Sequence, residues 1–330
     1  MAIAPRRLGR CVVGVGLGVG LALVVSGCGT TETPAGPGSS PESGVTVTDA
    51  RGKKVTLDGP AKRVVGTEWN VVESLVTLGV QPVGAADIKG YKAYDHAAPL
   101  SGGVKDIGTR GEPSAATVAG LKPDLVVATN DLSDSAIAQL SKVAPVVVVR
   151  SADASRQIDQ MLDNLNLIAE ATGTQEKARA EIAAYREKVA DGRKKLATAG
   201  LGGAEVAFAD GWKEGNQVTV RPYAEGSLLG DVNTGLGLTN PWKLKGDKAY
   251  GLASTDVEGL TKIGSARFMY ITNDEAEDPF AAGLKDNAVW KSLPFVKKDE
   301  VHRLPDGIWM FGSTASMRSY VDAVVTALTG

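Results

Sequence analysis

The amino-acid sequence predicts an α/β protein with two α/β lobes, each built on a mainly parallel sheet, and one long helix between them. Short Val-rich runs alternate with helical patterns from residue 45 onward, and a long helical stretch with few breakers follows near the middle of the chain. The alternation of strands and helices then resumes to the end. Two lobes of this kind leave a cleft between them, where small-molecule sites tend to form.

The first lobe is predicted over residues 45–151. It begins with a hairpin around the turn-rich stretch "DARG", followed by the strands "RVVG", "QPVGAAD", "DLVVAT" and "PVVVV". These strands have no polar alternation, which is typical of a parallel sheet covered by helices on both faces. The intervening helices are predicted in "EWNVVESLVTLG", "EPSAATVAGLKP" and "SDSAIAQLSKVA", and Pro123 ends the second of them.

A connecting helix is predicted over residues 152–175, because apolar residues recur there at a spacing of three to four and Gly173 closes the pattern. A second helix follows, with Thr174 at its N-cap position. The second lobe is predicted over residues 176–330. Its strands are "AEVAFAD", "QVTVRPY", "RFMYIT" and "VHRL", and its helices lie in "SLLGDVNTGLG", "NAVWKSL" and "SMRSYVDAVVTAL". A single helical connector is expected to permit little hinge motion.

The N-terminus indicates export. Arg6, Arg7 and Arg10 precede an apolar run from Cys11 to Val25. That run is about 15 residues long, short of the roughly 20 that a membrane-spanning helix needs. A cationic start, a short apolar stretch and small residues after it are typical of a secretory signal peptide, predicted over residues 1–27.

The small residues "VVSGC" resemble a bacterial lipobox, which implies that Cys28 becomes the lipidated first residue of the mature protein. The alternative is an ordinary signal peptide with an incidental cysteine. Two acyl chains suffice for stable attachment, so we expect an extracytoplasmic protein anchored to the cell membrane. Residues 28–44 contain no large apolar residue beyond the cysteine and are expected to form a disordered tether. The chain has two cysteines, so no internal disulfide is expected once Cys11 has left with the signal.

Composition excludes several classes of function. The net charge is −2, with 36 Lys and Arg against 38 Asp and Glu, which argues against nucleic-acid binding. Two histidines, His96 and His302, give no ligand cluster for a resident metal, although each remains a candidate ligand. The mature chain has no nucleophile motif, no HExxH and no phosphate loop. We therefore expect a binding protein without an intrinsic cofactor; a lipoprotein enzyme with the same fold is the remaining alternative.

Aromatic and basic residues stand in the predicted loops of a chain that is only 5% aromatic. These residues are Trp69, Arg110, Trp242, Trp309 and Phe311. None belongs to an amphipathic helix repeat, and loops on an α/β scaffold are where binding groups gather. The alternative interpretation is burial in the core for each tryptophan, and capping of a loop carbonyl for the arginine.

From about residue 45 to its end, the chain resembles bacterial ferric-siderophore-binding proteins of ABC importers, and within them the ferric-hydroxamate-binding proteins. The resemblance rests on "DIGTRGEPSAATVAGLKPDLVVAT", on "AVWKSLPFVKKDEVHRLPDGIWMFG", and on "GLTNPW" ahead of "STDVEGL". These motifs are long, ordered and spread over both lobes. They imply two lobes joined by a single helix, with the ligand held between them.

The resemblance also implies roles for particular residues. Arg110 matches the arginine that donates to the oxygen ligands of ferric iron, for which a guanidinium fork is well suited. Trp242 and Trp309 match tryptophans that line the second lobe's side of the cleft. Phe311 falls where the family has a tyrosine, which leaves stacking but removes a donor. A further family tyrosine has no counterpart after "DLVVAT"; the other candidates for ligand contact are Trp69, Tyr91, Tyr94, Trp212, Arg221 and Tyr223.

The resemblance further implies that two acidic residues dock onto arginines of an ABC permease, the membrane component that works with an ATPase. Glu112 matches the first lobe's motif, and Glu258 matches the second less firmly because Asp256 lies close by. The alternative is stabilisation of a helix N-terminus by an acid in the first turn. The protein itself is expected to be a monomer.

Charge favours one class of iron complex. A ferric triscatecholate carries about three negative charges and needs several cations to offset its desolvation. Arg110 and Arg221 beside aromatic residues suit a neutral or weakly charged trishydroxamate better, and tryptophan faces also accept a cationic one. The alternatives are haem, cobalamin or a catecholate siderophore, and Met310 and His302 stand near enough in sequence to serve as haem ligands.

Overall fold

The computed structural model describes residues 44–215 and 217–330. The expected signal peptide, the lipidated Cys28 and all but the last residue of the tether lie outside these residues. The described chain forms two α/β lobes, which confirms the predicted fold class. None of its helices is both long and apolar enough to cross a membrane.

The first lobe contains a five-stranded parallel sheet whose central strands are fully buried. Because β-branched Val side chains fill both faces, these strands need helices on each side. The strands are β3 (Val64–Gly66), β4 (Gly84–Ala85), β5 (Lys105–Asp106), β6 (Leu125–Thr129) and β7 (Val146–Val149), in the spatial order β5-β4-β3-β6-β7. An antiparallel hairpin of β1 (Val45–Thr48) and β2 (Lys54–Leu57) precedes them.

The helices of this lobe are α1 (Trp69–Thr77), α2 (Ile88–Tyr94), α3 (Ala115–Leu121) and α4 (Asp134–Leu140). Ser114 and Ser133 cap α3 and α4, since their hydroxyls accept backbone N–H groups two to three residues inside each helix. The sequence pattern did not predict α2, which is short and begins at the left-handed residue Asp87.

The helix between the lobes is α5 (Gln157–Thr172), and α6 (Gln175–Thr198) follows it in the chain. Gly173 ends α5 with a φ of 72°, the left-handed conformation that glycine adopts without steric cost. The predicted closing role of this glycine is confirmed.

The second lobe has a mixed sheet. Its strands are β8 (Val206–Glu214), β9 (Gln217–Pro222), β10 (Arg267–Tyr270) and β11 (Val301–Arg303), in the order β11-β10-β8-β9. β11, β10 and β8 run parallel to one another, whereas β8 and β9 form an antiparallel hairpin. Its helices are α7 (Leu228–Gly235), α8 (Ala288–Ser292), α9 (Pro294–Lys297) and α10 (Thr314–Thr329), with a 3₁₀ helix at Glu258–Ile263.

The largest hydrophobic cluster runs through both lobes. It joins Leu75 of α1 and Leu165 of α5 to Phe208 of β8 and Tyr320 of α10. Separate clusters cover the outer face of each sheet. The lobes are therefore held together by a shared core as well as by the connecting helix.

A buried carboxylate reinforces this junction. Glu73 of α1 accepts hydrogen bonds from the backbone N–H groups of Ser313 and Ser316, both at 2.8 Å, and from the Ser316 hydroxyl at 3.0 Å. It thereby caps the N-terminus of α10 in the opposite lobe. A Cβ at Gly312 would lie 2.2 Å from Glu73 Oε2, so glycine is required there.

Asp95 is a second buried acid beside Glu73. Its Oδ1 accepts from the N–H of Ala97 at 3.0 Å, whereas Oδ2 is buried with no hydrogen-bond partner among the described residues. Burial, and then the charge of Glu73, raises the pKa of Asp95 to about 9. Burial raises the pKa of Glu73 as well, and the bonds from Ser316 and Ser313 offset part of that shift. Asp95 lacks such a set of donors and therefore holds its proton at neutral pH.

Candidate functional site

A cavity of about 660 Å³ lies between the lobes. On the first lobe it is bounded by the loops that follow β3, β4, β5 and β6. These are the carboxyl ends of parallel strands, where ligands bind in open α/β sheets. The lining residues are Glu68, Asn70, Asp87, Thr109, Arg110, Gly111, Thr129, Asp131, Leu132, Arg221, Tyr250, Leu252, Trp309 and Phe311.

Arg110 is held flat at the wall of the first lobe. Its guanidinium carbon lies 4.0 Å from the ring centroid of Trp69 and 5.4 Å from that of Trp309. Its Nη1 donates to Glu68 Oε1 at 2.8 Å, and this is its one side-chain hydrogen bond within the described chain. The remaining N–H groups can therefore donate to an anionic oxygen in the cavity.

Aromatic rings form the opposite wall. Trp309 and Phe311, in the loop before α10, have ring centroids 5.2 Å apart, and Trp309 meets Trp69 of the first lobe at 4.7 Å. Tyr250 packs edge-on against Phe311 at 5.5 Å. These contacts hold the rings in place while leaving part of each exposed to the cavity.

Arg221 faces the cavity from the second lobe, but two of its five donors and its charge are already engaged by Asp210. Nε donates to Asp210 Oδ1 at 2.8 Å, and Nη2 bonds the other carboxylate oxygen. Burial lowers the pKa of Arg221, but the bonds to Asp210 outweigh it, and the net direction is upward. Because Asp210 is itself buried, this arginine balances an internal charge before it can serve a ligand.

Tyr250 and Asp131 connect the two walls. The Tyr250 hydroxyl donates to Asp131 Oδ2, while the Ser151 hydroxyl donates to Oδ1 at 2.9 Å. Burial and the bond to Asp131 raise the pKa of Tyr250, so the phenol remains a donor at physiological pH. Sequence reasoning identified neither Tyr250 nor Asp131 as a site residue.

The charge balance of the cavity is slightly negative. Three carboxylates line it, from Glu68, Asp87 and Asp131, against the two guanidinium groups of Arg110 and Arg221. The carboxylates exceed the guanidinium groups by one, and Arg221 is itself paired with Asp210 outside the lining, so the cavity is net negative. Such a cavity opposes a highly anionic ligand and accepts a neutral or cationic one.

The structure brings four of the ten predicted ligand residues into the cavity lining: Arg110, Arg221, Trp309 and Phe311. Trp69 lies behind Arg110 and supports its guanidinium without lining the cavity. Tyr94 and Trp212 line a neighbouring groove instead.

Three predicted contacts do not agree with the structure. Trp242 is buried in the outer core of the second lobe, where its Nε1 donates to the Phe208 carbonyl at 2.9 Å. Tyr91 is fully buried and donates to the carbonyl of Ala98 at 2.5 Å. Tyr223 is buried behind Phe311 and bonds the sulfur of Met310 at 3.3 Å. In each case hydrophobic packing and an internal partner engage the side chain.

The remaining predicted residues lie away from the cavity. Glu112 and Glu258 are exposed, one on each lobe. His96 contacts the carbonyl of Lys92 at 3.1 Å, and His302 contacts Glu300 at 3.2 Å. Across residues 44–215 and 217–330, no group of three or more His, Cys, Asp or Glu side chains is placed to hold a metal ion.

A signal for the missed first-lobe residues was present in the sequence. Thr129 is the last residue of β6, and Asn70, Asp87 and Asp131 each follow a strand of the parallel sheet within a few residues. Attention to the carboxyl end of every strand, rather than to aromatic residues, would have found them. Nothing comparable marks Tyr250.

Comparison with known proteins agrees with this architecture. The chain is 28% identical to the Fe(3+)-citrate-binding protein YfmC of Bacillus subtilis, with 87% of each chain covered. It is 24% identical to the iron(3+)-hydroxamate-binding protein FhuD of Escherichia coli, with 81% of this chain and 87% of that protein covered. The structure of Vibrio cholerae FhuD bound to Fe3+-Desferal superposes with a TM-score of 0.73 at 24% identity, covering 82% of this chain and 98% of that one. Residues 64–307 match the family of periplasmic binding proteins, and the chain belongs to that family.

Proposed function

We propose that this protein captures a ferric siderophore of the trishydroxamate type outside the cytoplasm and delivers it to an ABC importer. The observation that carries the proposal is the cavity between the lobes, in which Arg110 has free donors opposite the rings of Trp309 and Phe311. Membership of a family of binding proteins supports it, as do relatives named for iron complexes.

The chemistry of a ferric trishydroxamate fits these groups. The hydroxamate oxygens around the iron carry negative charge and accept hydrogen bonds from a guanidinium fork. The linkers between the hydroxamates are apolar and pack on aromatic faces. Because the complex as a whole is neutral or weakly charged, it agrees with a cavity that is net negative. Ferric citrate and triscatecholate complexes are anionic and fit this balance less well.

Titration with a panel of iron complexes tests the ligand class. The panel is ferrichrome, ferrioxamine B, ferric dicitrate, ferric enterobactin and haemin, with quenching of tryptophan fluorescence as the signal at fixed ionic strength. We expect the two hydroxamates to bind at least about 100-fold more tightly, a difference of roughly 2.7 kcal/mol. Tighter binding of citrate, enterobactin or haemin would reverse the assignment.

Docking to a permease is proposed through Glu112 and Glu258, which are exposed on the two lobes. Replacing both with alanine should abolish siderophore-dependent iron uptake in cells while leaving ligand affinity unchanged. Glu176→Ala, at a side chain that is 96% exposed, is the matched control and should retain uptake. Normal uptake by the double variant would contradict this role.

The lipid anchor is proposed at Cys28 and rests on the sequence alone. Cys28→Ser should release the protein from the membrane fraction, whereas Cys11→Ser, within the expected signal, should leave it attached. Membrane attachment of both variants would exclude thioether lipidation at Cys28.

A further inference from the structure

Two exposed aromatic side chains converge on a groove beside the cavity. Tyr94, at the end of α2, and Trp212, in β8, are the large hydrophobic side chains that stand exposed in the described chain, at 38% and 41%. They belong to opposite lobes, yet both line the same groove of about 390 Å³. Single exposed apolar side chains are ordinary, but two from distant segments that face one groove indicate a binding surface.

This side groove adjoins the cavity. Trp309 and Arg221 line both spaces, so an extension of a molecule held in the cavity has only these two side chains to pass before it reaches the groove. The floor of the groove is apolar, formed by Ile271, Ile308 and Met310. A ligand with a projecting chain would therefore meet hydrophobic surface at the point where it leaves the cavity.

The charges of the groove cancel in pairs. Arg221 is bonded to Asp210, and Lys213 Nζ lies 2.7 Å from Glu277 Oε1. The Nε1 of Trp212 donates to Glu214 Oε1 at 2.9 Å. The ring face of Trp212 is therefore the part of the side chain that a ligand can contact. A charged group entering here would have to compete with these ion pairs, whereas an uncharged apolar or aromatic group would not.

We propose that the side groove between Tyr94 and Trp212 is a second subsite, which binds an uncharged acyl or aryl extension of the iron complex held in the cavity. The inference rests on the proposed function and deepens it. The subsite makes the protein distinguish iron complexes by what they carry outside the iron-binding core.

Two derivatives of one siderophore test this subsite. Desferrioxamine B is capped at its terminal amine with either an acetyl or a benzoyl group, so that the two ferric complexes share the same core and charge and differ only in the extension. Affinities are measured by calorimetry, because the variants below change the tryptophan content. We expect the wild-type protein to prefer the benzoyl complex by about 5-fold, the size of one aromatic contact.

Trp212→Ala should abolish this preference while leaving the affinity for the acetyl complex unchanged, and Trp212→Phe should retain part of it. Gln217→Ala, at an exposed position of the same hairpin that does not line the groove, should keep the full preference. Equal binding of the two complexes by the wild-type protein, or an equal loss for both in Trp212→Ala, would overturn the subsite while leaving the proposed function intact. Failure of both complexes to bind the wild-type protein would overturn the proposed function and the subsite together.

Discussion

Arg110 and Arg221 line the same cavity from opposite lobes, but their surroundings differ. Arg110 makes one hydrogen bond to the partly exposed Glu68 and lies flat against Trp69. Arg221 makes a bidentate pair with Asp210, whose side chain is only 10% exposed. The wall of the first lobe is otherwise polar, from the ends of parallel strands, whereas the second lobe contributes mainly aromatic rings. Under the proposed function, the first lobe would recognise the charged ligand atoms of the iron complex and the second would supply surface complementarity.

The largest effect is expected where the second lobe's arginine is removed. Arg221→Ala leaves the Asp210 carboxylate buried without a partner and should lower the free energy of unfolding by about 3 kcal/mol. Ligand affinity should change little. The measurement is chemical denaturation, with the double variant Asp210→Asn/Arg221→Gln expected to recover most of the loss.

The matched control for this prediction is Arg156→Ala. Arg156 pairs with Asp163 at 2.7 Å, and the Asp163 side chain is 57% exposed, so removing Arg156 should leave the free energy of unfolding nearly unchanged. A strong loss of ligand affinity in folded Arg221→Ala would contradict this contrast between the lobes, because it would show that both arginines bind the ligand.

Arg110→Ala should have the reverse profile. Loss of charge-assisted hydrogen bonds to the iron ligands should weaken ferric-hydroxamate binding by about 2 kcal/mol, or roughly 30-fold. Stability should be nearly unchanged, because Arg110 balances only the partly exposed Glu68. Arg150→Ala, which removes a similarly exposed arginine outside the cavity, is the control for affinity. Unaltered affinity in Arg110→Ala would show that Arg110 does not bind the ligand atoms around the iron.

The stability of the buried junction between the lobes, where Asp95 lies beside Glu73, should depend on pH. Asp95 releases its proton near pH 3.8 when unfolded and near pH 9 when folded, so the folded protein holds the extra proton between these values. The free energy of unfolding therefore falls as pH rises through this window, by about 2 kcal/mol between pH 7 and 9. Asp95→Asn removes the titration and should flatten the profile.

Thermal denaturation across pH 6–9 measures this effect. The exposed Asp58→Asn is the control and should keep the slope of the wild-type protein. Tyr91 also packs beside Asp95, but its pKa is raised by burial and by the neighbouring acids, so it stays neutral in this range. An unchanged slope in Asp95→Asn would show that Asp95 does not hold the extra proton in the folded protein.

The sequence predicted the lobes well because their signals are local. The Val-rich runs of β6 and β7 leave few alternatives to a buried parallel sheet, and Gly173 marks a helix end by its conformational freedom. Arg110 was also identifiable, since a glycine-flanked arginine in a loop before a helix has few structural partners. Each of these features is determined by residues that lie close to it in the sequence.

The two tryptophans of the second lobe show where local information ends. Trp242 and Trp309 both follow turn-forming residues, and nothing nearby in sequence separates them. Tertiary packing does, because Trp242 meets the Phe208 carbonyl within the outer core, while Trp309 meets Trp69 across the cleft. Tyr250 and Asp131 are 119 residues apart, so their contact depends wholly on how the lobes are placed.

The smallest effect is expected at this contact between Tyr250 and Asp131. A single hydrogen bond across the cleft contributes about 1 kcal/mol, so Tyr250→Phe should weaken siderophore binding by about 5-fold. If the bond holds the walls together around the ligand, the change should fall on the dissociation rate, because breaking it is required for release and not for encounter. Stopped-flow fluorescence with ferrioxamine B measures both rates. Tyr270→Phe provides a matched control, since its hydroxyl donates to Asp278 at 2.9 Å entirely within the second lobe. Faster dissociation in Tyr250→Phe alone would show that the two walls act together on the ligand, whereas equal behaviour of both variants would mean that each wall holds the ligand independently.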